Sequence, residues 1–282
     1  MPRATIPRLT AMGKLLSHRH PLLFRLAVGY HRLRRWIVWL CERRSLARKH
    51  PDLLPCLVKR HSSRLIRPLG DSELRLQHNK VVNLRIITPL LDGVRIAPGE
   101  KFSFCRLVGL PTRKRGFLEG MELSMGQARA GVGGGICQMA NLLHWLVLHS
   151  PLTVTQRSAH SFDPFPDHNR SIPFGTGCAV FYNYVDLCFH NDTDETFQFK
   201  IWMTGTDLWG ELRSAREIAE TYKVHEKNHR FFRRKGIFYR SNEIWRRVME
   251  RKTGRFRRDE QIKENVARVM YVPPSWDEQS DG

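Results

Sequence analysis

Gly131-Val132-Gly133-Gly134-Gly135-Ile136-Cys137-Gln138 is the stretch whose residue types could do chemistry. A glycine-rich turn runs into a cysteine, and an apolar helical pattern, Met139 to Leu148, follows. That order places a thiol at a helix N-terminus, where unpaired N–H groups and the helix dipole favour a thiolate. A nucleophilic cysteine also needs a base and donors for a developing oxyanion. His160 is the candidate base, in the segment after the helix. Gly133, Gly134 and Gly135 allow close backbone approach to a substrate, and Gln138 offers a side-chain N–H. Asp163, Asp167 and Asp186 are the acids available to orient the histidine, and the residues do not choose among them. The competing reading makes these glycines a device for tight helix packing.

Other chemistries fit less well. A Walker A loop needs Lys and Ser/Thr after its last glycine, and here Ile136-Cys137-Gln138 follows instead. His160, Asp163, Asp167 and His168 match no zinc spacing and are interrupted by Pro164 and Pro166, so no metal or other cofactor is expected. Six cysteines without CxxC spacing read as reduced thiols in the cytosol, Cys178 and Cys188 as small buried apolar residues.

The elements that must position these groups lie in a chain of uneven charge. Residues 1–70 hold 16 Lys+Arg against 2 Asp+Glu, 71–212 hold 13 against 14, and 213–270 hold 18 against 8. A near-neutral core domain (71–212) is thus expected between a basic helical arm (1–70) and a basic C-terminal arm (213–270), with 271–282 a disordered tail. Within the core, helices are expected over Gln77–Leu91 and roughly 137–149. Strands are expected over Leu152–Arg157, Cys178–His190 and Phe197–Met203, the last two as a hairpin, and a strand or extended loop over Lys101–Leu110. The fold class is α+β: antiparallel strands packed around a central buried helix, with basic helical arms at both ends.

The basic excess points to an anionic partner or to a self-solvating surface. Leu22, Leu26, Leu33, Ile37 and Leu40 form a helical stripe among arginines, too charged to span a bilayer. The stripe is expected to dock on the protein core, the alternative being an anionic membrane surface. Phe231-Phe232-Arg233-Arg234-Lys235 and Arg255-Phe256-Arg257-Arg258 interleave aromatics with bases, but no nucleic-acid fold signature accompanies them. No secretory signal is readable, so a cytoplasmic protein, peripheral at the inner membrane face, is expected. The oligomeric state is not legible.

Several motifs resemble, as an ordered set, the VanW family. They are Pro98-Gly99-Glu100-Lys101-Phe102-Ser103-Phe104, Gly133 to Gln138, Arg157 with His160, Asp186-Leu187 and Asn191-Asp192-Thr193. The resemblance covers roughly 77–203 and extends into both arms. It implies a cell-envelope context linked to glycopeptide resistance, with a cell-wall precursor or glycopeptide as partner, and it supplies no reaction. Many members carry an Asp where this chain has Gly177, which shifts an orienting role to Asp163 or Asp186. If chemistry occurs, the expectation is thiol-dependent acyl transfer or amide hydrolysis. Cys137 would be the nucleophile, His160 the base, and Gly133–Gly135, Gln138 and Arg157 the substrate contacts. A non-catalytic binding or scaffold protein is the alternative.

Overall fold

The structure, a computed structural model, describes residues 21–66, 74–124, 127–159, 162–163, 166 and 172–278. The described residues fall into two compact units that divide between Arg43 and Arg44. In the first, α1 (Pro21–Cys41) is a 21-residue helix.

The second unit runs through β1 (Arg48–Lys49), β2 (Cys56–Arg64), α2 (Leu74–Leu91), β3 (Val94–Ile96), β4 (Lys101–Ser103) and α3 (Phe104–Val108). The hairpin β5 (Glu119–Ser124) and β6 (Gln127–Val132) precedes α4 (Cys137–Leu148), β7 (Thr153–Gln156), β8 (Phe162–Asp163) and β9 (Cys188–His190). The chain closes with β10 (Phe197–Met203), β11 (Asp207–Ser214), β12 (Glu220–Arg234), β13 (Ile237–Glu250), β14 (Phe256–Val269) and β15 (Asp277–Glu278). One sheet has the order β1-β3-β10-β11-β2, a second β15-β12-β13-β14-β8, and a third β4-β9-β7.

The expected α+β class, with strands around a central helix and helical arms, is overturned. Fifteen strands and four α-helices form among the described residues, and the pairing is predominantly antiparallel. Helix α4 is a layer on one sheet: a Cβ on Gly210 of β11 would sit 3.0 Å from Leu142 and from Leu146. The C-terminal basic segment is not helical but a three-stranded antiparallel ribbon of 14–15-residue strands. Its first hairpin turns at Lys235-Gly236, both with positive φ (50° and 72°), the conformation a two-residue type I′ turn needs. In the N-terminal basic segment, β2 pairs along its length with β11, so it too is sheet after residue 56.

The core is aromatic and aliphatic. Phe102, Phe189 and Phe199 meet across β4, β9 and β10, with Phe102–Phe189 centroids 5.0 Å apart and Phe102–Phe199 5.5 Å. All three are fully buried, and each contributes about 2–3 kcal/mol by removal from water. Leu84, Ile87 and Leu91 of α2 and Met139, Leu143 and Leu146 of α4 complete the same cluster.

Candidate functional site

Cys137 is the first residue of α4, and Ile136 before it is already helical with no side-chain cap. The preceding glycines are used for close packing. Gly133 and Gly135 adopt φ of +83° and +88°. A Cβ at Gly134 would lie 2.1 Å from the Gly120 carbonyl oxygen of β5, and one at Gly135 2.2 Å from Cγ of Lys80 on α2. Only glycine lets the turn, β5 and α2 approach this closely. Two of its N–H groups are already engaged: Gly133 donates to Leu118 O (3.0 Å) and Gly134 to Gly131 O (2.9 Å). Asn83 of α2, fully buried, donates to Gly134 O (2.9 Å) and Leu118 O (3.0 Å) and accepts from Leu118 N (2.8 Å). Gln138 is turned away from the turn: Nε2 donates to Ser63 Oγ and Arg64 O of β2, both at 2.8 Å. Gly135, Ile136 and Cys137 donate to no backbone acceptor among the described residues.

The segment 176–180 lies along one face of α4 as a strap. The Val180 N–H points at the Cys137 sulfur. The Cys178 N–H donates to Asn141 Oδ1 (2.6 Å). His144 Nδ1 meets Thr176 O (2.8 Å), which makes that nitrogen the donor. Positions 137, 141 and 144 are spaced i, i+4, i+7, so they share one helix face. The strap's other edge faces residues 157–158. Ala179 N donates to Ser158 O (2.8 Å), and Arg157 donates through Nε and Nη2 to Gly177 O (3.1 and 2.7 Å) and through Nη2 to Gly175 O. Arg157 thus grips the loop that carries Cys178, whose sulfur it also hydrogen-bonds.

Electrostatics follow from this burial. Desolvation pushes the partly buried Cys137 thiol up from its ordinary pKa, outweighing the N–H groups of Val180 and Cys137 aimed at the sulfur. The thiolate favoured by the helix start therefore loses to desolvation. Burial raises Cys178 to about 12, with Arg157 opposing. Burial lowers His144 to about 3, and the nearby Arg157 charge adds to that shift. In the resting protein this cluster holds two protonated thiols and a neutral imidazole.

The acids sit elsewhere in the network. Asp186, fully buried, accepts from Ser103 Oγ (2.6 Å), Cys105 N and Leu187 N (both 2.8 Å), and meets Cys188 Sγ at 3.4 Å. It anchors the start of α3, where Ser103 also caps Arg106 N. Asp163 on β8 receives Arg240 Nη1 and Tyr271 Oη, each at 3.1 Å, and ties the C-terminal sheet to the segment after β7. His160 and Asp167 lie outside the described residues. No group of three or more His, Cys, Asp or Glu able to hold a metal ion occurs among the described residues.

Sequence reasoning missed Asn83, Asn141, His144 and Thr176 and treated Cys178 as inert filler. One signal was present: Cys137, Asn141 and His144 are a polar stripe in a helix whose other residues, Gln138 apart, are Met, Ala, Leu, Trp and Val.

Comparison with known proteins places this arrangement. The family described as VanW like protein matches residues 79–213, which hold the glycine turn, α4 and the strap. The chain is 34% identical to the vancomycin B-type resistance protein VanW of Enterococcus faecalis over 200 residues, 70% of this chain and 72% of that protein. It is 30% identical over 116 residues to the uncharacterized protein YoaR of Bacillus subtilis, 40% of this chain and 36% of that protein. No solved structure matches it. With a family match centred on the turn and strap, and a relative aligned over most of both chains, the chain belongs to the VanW family.

Proposed function

We propose that this chain is a VanW-type protein linked to vancomycin resistance that works by binding, with a cell-wall precursor or the glycopeptide as its ligand. The link rests on the relative's name and its 72% coverage. The preference for binding over catalysis rests on one observation: the groups that a thiol enzyme would use are committed to holding the fold. The thiol is protonated by burial, two glycine N–H groups are spent on backbone carbonyls, and Gln138 is tied to β2. A turn whose glycines are committed to close packing is a scaffold for recognition surfaces rather than a poised nucleophile.

Complementation tests this reading. In a resistant strain lacking its family member, Cys137→Ala and Cys137→Ser should restore the vancomycin inhibitory concentration as well as the wild-type chain does. Calorimetric titration of the purified chain should show binding to the glycopeptide or to a soluble peptidoglycan precursor. Loss of resistance in both cysteine variants, with unchanged expression and melting temperature, would refute the binding reading.

A second reading has its own support. Gly135, Ile136 and Cys137, at the start of α4, carry N–H groups that no backbone acceptor takes among the described residues. Such groups can bind a developing oxyanion. In that reading Cys137 attacks an acyl carbon only as a base removes its proton, His160 being the base. Acyl transfer or amide hydrolysis would then follow, and His160→Ala would abolish resistance together with Cys137→Ala.

A further inference from the structure

We infer that α1 is a helix that lies flat on an anionic phospholipid surface and holds the protein there. The observation is the distribution of side chains around this one helix, and it is independent of the binding role proposed for the second unit. At 3.6 residues per turn, Leu26, Leu33, Ile37 and Leu40 fall within an arc of about 60°. All four are well exposed, from 54% at Ile37 to 69% at Leu40. Tyr30 and Trp36, 64% and 52% exposed, border the arc on opposite sides. Arg25 and Arg34 come next, each about 90° from its centre. The order outward from the stripe is therefore aliphatic, aromatic, cationic on both flanks. A bilayer surface presents the same order from acyl chains through the interface to headgroup phosphates. The long arginine stems let the guanidinium groups rise to the phosphates while the stripe sinks below them.

Charge selects the occupant. The first 41 residues contain eight Lys+Arg and no Asp or Glu. A second copy packed on this stripe would bring like charge against like charge, which disfavours self-pairing. An anionic surface neutralises the same charges. The helix cannot cross: among the described residues no helix is long and apolar enough to span a membrane. It therefore lies on the surface.

The test uses the full chain and sedimentation with two vesicle types, phosphatidylcholine alone and phosphatidylcholine with about one quarter phosphatidylglycerol. Binding should require the anionic lipid and weaken in high salt. Each cation near the surface is worth about a fivefold change in partitioning, so Arg25→Gln/Arg34→Gln should weaken binding about 25-fold. Leu33→Asp/Ile37→Asp should abolish it, and Trp36 should report a blue-shifted emission on the anionic vesicles in a variant whose other tryptophans are replaced by Phe. Equal binding to both vesicle types would overturn the inference. So would full anionic binding by the Leu33→Asp/Ile37→Asp variant, which would move the contact to the basic C-terminal sheet. A stripe-dependent dimer in sedimentation equilibrium, without vesicle binding, would assign the face to a second copy. The arginine variant keeps the stripe intact, so a decision remains possible if the aspartate variant fails to fold.

Discussion

Replacing Arg240 by methionine should cost the second unit about 4 kcal/mol. The side chains of Arg240 and Asp163 are 3% and 6% exposed, and Nη1 lies 3.1 Å from Oδ2. At an effective dielectric constant of about 20, charges at that separation attract by about 5 kcal/mol. Desolvation on folding cancels much of that for the intact pair. Removing one partner, however, leaves the other buried and uncompensated, which costs about 3–5 kcal/mol. Tyr271 still donates to Asp163 in the variant, which keeps the loss below the upper bound. Methionine retains apolar contact with the Phe174 ring, over which the guanidinium sits 4.4 Å from the centroid, so what is removed is the charge and the Nε–H that donates to His229 Nε2 (2.8 Å). For a unit of this size the loss corresponds to a melting temperature lower by about 8–16 °C. Thermal melts at neutral pH read it directly, with near-UV circular dichroism following the aromatic residues of the C-terminal sheet. The double variant Asp163→Leu/Arg240→Met has no stranded charge and should regain most of the stability. If Arg240→Met changes stability by less than about 1 kcal/mol, or if the double variant is worse than both single ones, the pair is not the staple described.

Acid should destabilise the protein through two histidines. His144 and His149 are held neutral by burial, at about 3 and about 4, below the ordinary histidine value. As pH falls below about 6.5 the unfolded chain takes up protons that the folded chain refuses. Stability should therefore fall by about 5 kcal/mol by pH 4.5, read as a declining urea midpoint, and His149→Gln should flatten the slope. Cys137 should alkylate with iodoacetamide at least about tenfold more slowly than the exposed Cys41 at neutral pH, as peptide mass spectrometry would show; comparable rates would contradict the desolvated thiol. Gly134→Ala should cost about 3 kcal/mol, because its Cβ meets the Gly120 backbone rather than a movable side chain; a melting temperature equal to wild type would show that β5 can withdraw.

The parts legible in the sequence are those whose burial pattern is local. Helix α4 was expected over 137–149 and forms over Cys137–Leu148; β10 forms at its expected span, Phe197–Met203. Helix α2 covers the expected Gln77–Leu91 and starts three residues earlier. The basic ribbon was hidden because its inward positions carry Arg240, Asn242 and Arg246, so the alternation of apolar residues that marks a strand is broken where the strand is buried. These groups find partners far away in sequence: Asn242 donates to Phe174 O (2.7 Å) and Arg246 to Ser150 O (2.7 Å). The run 178–190 alternates for another reason. Its first part is the strap, followed by a turn at Phe181–Val185, and only Cys188–His190 is strand. Nor does it hairpin with β10, which pairs with β3 and β11 while β9 pairs with β4 and β7. Lys101–Leu110 begins as strand, and Ser103 then caps α3. At the site, the position of Cys137 at a helix start was readable, but its thiol pKa was not. Its upward direction comes from burial, which the Val180 N–H, some forty residues downstream, opposes.

The strap has a consequence for how the chain can change in length. Its residues take turns: Thr176, Cys178 and Val180 address the helix, while Gly177 and Ala179 address Arg157 and Ser158. Deleting or inserting a single residue would reverse every assignment after it, sending the Ala179 N–H toward Asn141 and the Cys178 N–H toward Ser158. A change of two residues would keep each facing intact and shift only the register. Between Thr176 and Val180 the chain counts in pairs, and length variation there should survive only in even steps.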